Sequence, residues 1–294
     1  MQQYKSIIDI KDLIPKYDVF LFDIWGVIFK DLEHTYEGVV DSINKVIREK
    51  RVYFVTNNPQ LSKHSYEILK KTGINVKLNM IFSSGDIVNI ALRNTKNILK
   101  QFTNHNFDEN SKPIIYHLGG ENNQDLIEEA NIEVTSDINS ANILLLSINI
   151  KNDESYIDNI LHNAIKRNLP LICANPDIIF IESNKITYNA GYFSAKYEKL
   201  GGTVFYYGKP HKNIYYYLFD KTNINPKNHK ILMIGDTFRT DILGAKNVGI
   251  NSALVLTGNA KAFFNSKDTT QNILRSIEKQ ANKENIWPDY ILQI

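Results

Sequence analysis

One cysteine, Cys173, in 294 residues excludes an internal disulfide framework and fits a reducing compartment. No apolar run approaches the roughly 20 residues needed to cross a bilayer. Residues 1–16 interleave charges with apolar side chains where a signal peptide would carry an apolar core. An excess of one charge is missing as well. The 34 basic and 32 acidic residues leave a formal net charge of +2, with no basic block or aromatic–basic stripe, which argues against nucleic acid as a partner. There is no repeat of fixed period and no low-complexity tract. The expectation is a soluble cytoplasmic protein with no membrane partner, long enough for one large or two medium domains.

What the sequence does contain is acid at the ends of apolar runs. Val19-Phe20-Leu21-Phe22 leads directly into Asp23-Ile24-Trp25-Gly26, and Ile231-Leu232-Met233-Ile234 leads into Gly235-Asp236 and then Asp241. Such short runs read as strands buried on both faces. Between and around them the pattern alternates. Residues 38–50 carry Val39, Val40, Ile43, Val46 and Ile47 at helical spacing, residues 52–55 read as a second strand, and a helix is predicted from Ser62 to Gly73. That βαβα order implies a parallel sheet with helical crossovers. A second α/β series follows, with strands at 114–116, 143–146 and 171–172, and 101–113 reads as a polar loop. After Gly201-Gly202 the first pattern is expected to resume, with strands at 203–207, 231–234, 253–256 and 289–292 and helices at 213–219 and 241–247. The predicted fold class is α/β: a doubly wound, Rossmann-like parallel-sheet core over 1–82 and 196–294, interrupted by an inserted α/β domain over 83–195.

Four clusters then fall at core strand ends: Asp23; Thr56 with Asn57; Lys209; and Asp236 with Asp241. Ligands of open α/β sheets bind at the carboxyl ends of the strands. There Asp23 can act as a nucleophile that accepts a phosphoryl group. The hydroxyl of Thr56 and the N–H groups of its turn can hold phosphate oxygens, and Lys209 can bridge nucleophile and phosphate. Three gathered carboxylates repel one another and one lysine cannot neutralise them, so Asp236 with Asp23 points to Mg²⁺.

The ordered set resembles the haloacid dehalogenase superfamily of hydrolases, class IIA, whose large α/β cap lies between the second and third motifs. The matching text is FDIWGV (22–27), VTNNP (55–59), GKP (208–210) and GDTFRTDI (235–242), with further likeness in ANPD (174–177), the stretch 188–202 and PDYIL (288–292). The resemblance implies Asp23 as nucleophile, Thr56 and Asn57 as phosphate ligands, Lys209 as the motif-three lysine, and Asp236 and Asp241 as the metal end. It also implies that the backbone carbonyl of Trp25 completes the Mg²⁺ site. Asn175, Asp177 and residues 189–192, Gly191 among them, are the expected substrate contacts of the cap. A small phosphorylated metabolite is the expected partner, and formation of a homo-oligomer is left open.

Plainer readings stand beside these. Asp241 precedes a predicted helix and by itself would be an N-cap, and Thr56-Asn57-Asn58-Pro59 alone would be a polar turn. Cys173, in an apolar run, reads as core. His34, His117 and His211 lack metal-ligand spacing, and Tyr215-Tyr216-Tyr217 winds around a helix and reads as packing. One departure qualifies the function. Phosphatases of this superfamily read Asp-x-Asp, the second Asp protonating the leaving group and then activating water, and Trp25 stands in its place. Indole can do neither, a loss of about 10²–10⁴ in rate. Two readings follow: a Mg²⁺-dependent phosphatase without that acid, or a catalytically silent binder of phosphorylated ligands.

Overall fold

The computed structural model of the chain describes Tyr4 and residues 6–31, 33–100, 111–119, 121–128, 130–148, 154–182 and 185–294. Most of the polar stretch expected as a loop at 101–113 lies outside the described residues. The chain forms two compact units. One comprises Met1–Thr56, Lys63–Phe82 and Lys209–Ile294; the other comprises Asn57–Ser62 and Ser83–Gly208.

The first unit opens with β1 (Ile8–Asp9), β2 (Val19–Phe22), α1 (Val39–Glu49), β3 (Arg51–Thr56), α2 (Ser62–Lys71) and β4 (Ile81–Ser83). The second unit continues with α3 (Ser84–Arg93), α4 (Thr95–Lys100), β5 (Ile114–Gly119), β6 (Glu133–Thr135), β7 (Ile143–Ser147), α5 (Glu154–Lys166), β8 (Leu171–Cys173), β9 (Ile179–Glu182), β10 (Lys185–Tyr188), α6 (Ala190–Lys199) and β11 (Val204–Tyr206). The chain then returns to the first unit with α7 (Lys212–Thr222), β12 (Ile231–Gly235), α8 (Leu243–Val248), β13 (Asn251–Val255), α9 (Thr270–Glu284) and β14 (Tyr290–Gln293). Among the described residues no helix is long and apolar enough to cross a membrane.

The first unit is built on a sheet of order β1-β14-β13-β12-β2-β3-β4. Its pairs from β1 through β3 are parallel, with Phe22 opposite both Ile234 and Phe54. The chain runs outward from β2 to β3 and β4, then restarts at β12 on the other side of β2. The topological switch point therefore lies between β2 and β12, where open α/β sheets place their ligands. Every residue of β2 and β12 is buried because helices cover both sheet faces. Phe20, Phe22 and Phe54 pack with Ile43 and Val46 of α1 and Leu69 of α2, while Leu254 and Ile291 pack with Ile277 of α9 on another cluster. Each such side chain contributes about 1.5–3 kcal/mol by leaving water.

The second unit has its own parallel sheet, of order β11-β8-β7-β5-β6, and an antiparallel ribbon of β9 and β10. Helix α3 starts from a reciprocal cap in which Ser83 Oγ accepts from Asp86 N and Asp86 Oδ2 accepts from Ser83 N. Helix α6 buries Phe193 and Tyr197 in the core that holds Leu171 and Cys173.

This placement corrects the expected return to the first unit at residue 196. Residues 204–206 pair with β8, Val204 opposite Leu171, and so belong to the second sheet; the return comes at Lys209. The cause is α6. A helix packed on the second core delivers the strand after it to that core's sheet as a parallel crossover.

Candidate active site

Asp23 leaves β2 and Asp236 leaves β12, and the register of Phe22 with Ile234 puts both exits at one level. A hydrogen bond from Asp23 N to Ile234 O, 2.9 Å, extends the pairing by one residue. Asp241 comes back to the same place through a wide turn of π-helix, Phe238–Ile242, that runs into α8. Such turns re-aim a side chain within an otherwise helical path. Its carboxylate lies over Gly235, where a Cβ would stand 2.1 Å from Asp241 Cγ, so only glycine fits. Asp241 therefore does not cap an ordinary helix as the plainer reading expected. Its Oδ2 accepts from Thr237 N inside the turn.

One carboxylate oxygen from each of Asp23, Asp236 and Asp241 falls within 4.8 Å of the others, and all three residues are buried. Lys209, 2% exposed, donates to Asp23 Oδ1 at 2.6 Å and to Asp241 Oδ1 at 2.7 Å. Burial pushes the Asp23 carboxyl well above the usual carboxylate range, outweighing the opposing pull of Lys209. Asp236 is pushed up to about 7, first by burial and then by the charge of Asp241. Ionising all three carboxyls against one ammonium would leave a buried surplus of negative charge, and the cost of that surplus is what favours their protonated forms without a further cation. An oxygen-rich, acid-rich pocket of this kind suits a hard divalent cation.

Trp25 is half-buried on the turn after Asp23, its ring 5.2 Å from that of Phe29 and inclined by 37°. Gly26 follows with φ of +84°; a Cβ there would stand 2.3 Å from Asp236 Oδ2. The glycine is thus required twice, for its backbone conformation and for close approach. Thr56 ends β3 and is 1% exposed.

Asn57, the next residue, belongs to the second unit, where it meets other residues picked out in the sequence. Its Nδ2 donates to Asp177 Oδ1 at 2.9 Å, and Asp177 N donates to Asn175 Oδ1 at 3.0 Å. A Cβ on Gly191 would stand 2.2 Å from the carbonyl oxygen of Pro176, which gives this glycine a packing reason at the start of α6. Cys173 is buried, its thiol pushed up to about 12 mainly by burial, as befits a core residue. Tyr215 is buried while Tyr216 is exposed, as the helical spacing predicted.

Sequence reading missed the groups that hold Asp236. Thr237 Oγ1 donates to its Oδ1 at 3.1 Å; Asn259 donates to Oδ2 from both N, 2.6 Å, and Nδ2, 3.0 Å. The available signal was Thr257-Gly258-Asn259, one residue beyond β13, a further strand exit with turn chemistry.

Two family models match the chain in order. One described as haloacid dehalogenase-like hydrolase covers residues 20–133, and one described as HAD-hydrolase-like covers 206–293. The chain is 27% identical over 269 residues to phosphoglycolate phosphatase 1A of Arabidopsis thaliana, covering 84% of this chain and 70% of that one. It is 26% identical over 267 residues to a 4-nitrophenylphosphatase of Schizosaccharomyces pombe, covering 85% and 87%. Among solved structures, a possible sugar phosphatase from Cytophaga hutchinsonii superposes with a TM-score of 0.76 at 24% identity, over 98% of this chain and 97% of that one. The p-nitrophenyl phosphatase of Archaeoglobus fulgidus gives 0.69 at 22% identity over 94% and 95%, a likeness of fold. With its buried acidic cluster at the switch point of the first sheet, the chain is a hydrolase of the haloacid dehalogenase-like superfamily.

Proposed function

We propose that the protein is a Mg²⁺-dependent phosphatase of small phosphorylated metabolites that works through an aspartyl phosphate on Asp23. The observation that supports this reading is the set of three buried carboxylates bridged by one buried lysine. Similarity to phosphatases of phosphoglycolate and 4-nitrophenyl phosphate adds weight. Asp23, Asp236, Asp241 and the carbonyl of Trp25 would hold the cation, which supplies charge stabilisation to the phosphate oxygens when bound. The fit rests on the donor set: all oxygen, and more negative charge than Lys209 can offset.

An oxygen of Asp23 attacks phosphorus, the phosphorus–oxygen bond to the leaving group breaks, and the leaving oxygen keeps the electron pair. Water then attacks the same phosphorus, releasing inorganic phosphate and restoring the Asp23 carboxylate. Lys209 holds Asp23 in place and offsets charge on the transferring group. Thr56 and Asn57 bind phosphate in this reading. Asp177, being anionic, serves to orient the Asn57 amide with the help of Asn175 rather than to touch phosphate itself. The second unit is read as the inserted cap that chooses the substrate, and a cytoplasmic location is the reading with which a single cysteine is compatible.

Trp25 favours a second reading, a silent phospho-ligand binder, because the position offers no proton to the leaving group. Turnover of an aryl phosphate with Mg²⁺ separates the two, since that leaving group needs little protonation. We expect hydrolysis by the wild type and none by Asp23→Asn, with the fold retained by circular dichroism. Phosphate binding without turnover in the wild type would establish the silent reading. Wild-type rates in Asp23→Asn would remove the aspartyl phosphate.

A further inference from the structure

A short turn after β13 ties together the two halves of the acidic site. Thr257 Oγ1 donates to Gly26 O at 2.6 Å, and Gly258 N donates to the Tyr36 hydroxyl at 3.0 Å. Both acceptors belong to the loop that carries Trp25. The next residue, half-buried Asn259, turns the other way and gives two donors to Asp236 Oδ2. Its Nδ2 also donates to Thr237 Oγ1 at 3.0 Å, and that hydroxyl in turn donates to Asp236 Oδ1 at 3.1 Å. Gly258 has φ of +50°, and a Cβ there would stand 2.1 Å from Asp236 Oδ2 and 2.6 Å from Gly26 Cα. The turn is therefore packed directly against Asp236, with no room for a side chain between.

The consequence concerns the two oxygens of Asp236. Oδ2 accepts two hydrogen bonds from Asn259 and is crowded by the α-carbons of Gly26 and Gly258. Among the described residues Oδ1 accepts from the Thr237 hydroxyl, which can rotate away and donate elsewhere. We propose that Asn259 is a positioning residue of the cation site: it occupies Oδ2 and presents Oδ1 of Asp236 to a divalent cation. The proposal rests on reading Asp236 as a cation ligand. Partners that orient a metal ligand typically govern affinity by about 10–100-fold, and Asn259 touches Asp236 from both backbone and side chain.

The test is calorimetric titration of Mg²⁺ alone into wild type, Asp236→Ala, Asn259→Leu and Asn259→His. Leucine keeps roughly the shape of asparagine without the side-chain donor, leaving only the backbone N–H of residue 259 on Oδ2; histidine returns a side-chain N–H. Asn259→Leu should bind Mg²⁺ about 10–100-fold more weakly, with its melting temperature in the absence of Mg²⁺ close to wild type, and Asn259→His should recover part of the loss. In turnover, Asn259→Leu should need more Mg²⁺ but approach the wild-type kcat when saturated. Equal Mg²⁺ affinity in wild type and Asn259→Leu would overturn the proposal. So would an equal loss in both Asn259 variants accompanied by a fall in melting temperature, which would make the residue a packing element. Absence of Mg²⁺ binding in the wild type, or binding unchanged in Asp236→Ala, would instead strike the reading on which the proposal rests. Asn259→Ala, which adds no volume, replaces the leucine variant if that fails to fold.

Discussion

Each unit has a parallel sheet with a topological switch point, and each gathers polar groups there, but with opposite electrostatic character. In the first unit, between β2 and β12, three carboxylates and a lysine are buried together. In the second, β5 continues to β6 on one side and restarts at β7 on the other. There His117 of β5 lies 2.6 Å by Nε2 from Ser147 Oγ at the end of β7, and Asn123 donates to the Ser147 carbonyl. Burial holds the His117 imidazole down at about 4, so this cluster is neutral near pH 7. The second cluster satisfies itself with neutral hydrogen bonds. The first gathers more carboxyl groups than its one lysine can balance once they ionise. Topology supplies a polar crevice in both places; among the described residues, residue type decides that the first gathers three carboxyl groups on one lysine and the second neutral hydrogen-bonding groups.

The largest effect that sharpens this contrast comes from removing its central charge. Lys209→Met leaves Asp23 and Asp241 buried without their shared cation, a loss of about 3–5 kcal/mol in stability, and turnover should disappear with it. Ser147→Ala in the second unit removes neutral hydrogen bonds and should cost on the order of 1 kcal/mol. Urea denaturation of both variants measures the difference, and equal losses would erase the distinction drawn between the two clusters.

Next in size is the leaving-group dependence. Without an acid at position 25, kcat/KM should fall steeply as the leaving-group pKa rises, and Trp25→Asp should raise alkyl-phosphate turnover by up to about 10². Aryl phosphates should change little. A flat wild-type series would mean that another side chain delivers the proton, and would remove Trp25 from the account of specificity.

The smallest effect belongs to the neutral cluster. The His117 pKa is about 4 in the folded protein, below its ordinary 6.5. As pH falls below 6.5 the unfolded chain takes up a proton that the folded one refuses, so stability is lost between pH 6.5 and 4. The loss grows down to about pH 4, and His117→Gln should flatten that part of the stability–pH curve. The same slope in both proteins would assign the acid sensitivity to other groups.

The positions of several candidate site residues were legible because their determinants are local. Apolar runs of four residues at 19–22 and 231–234 are too short for a helix and read as buried strands, and an acid just past each strand, Asp23 and Asp236, emerges at the carboxyl end of a parallel sheet. Asp23 and Asp236 thus follow from short-range pattern plus one rule of topology. Residues such as Asp241 and Asn57 were found in the sequence but not their geometry. Asp241 returns through a π-helical turn over Gly235, and Asn57 gives its amide to Asp177, 120 positions away.

By itself, then, the sequence determined the α/β class, the alternation of elements, the ordered motifs and the excess of acid at one sheet's exits. Period and hydrophobicity along the chain carry that information. Tertiary structure alone decided that residues 204–206 join β8, because an apolar strand does not encode which sheet edge it meets until α6 has docked. It alone decided that Asn259 grips Asp236, because a hydrogen bond between positions 23 residues apart depends on two strand exits being brought to one level, and nothing local in either segment specifies that partner.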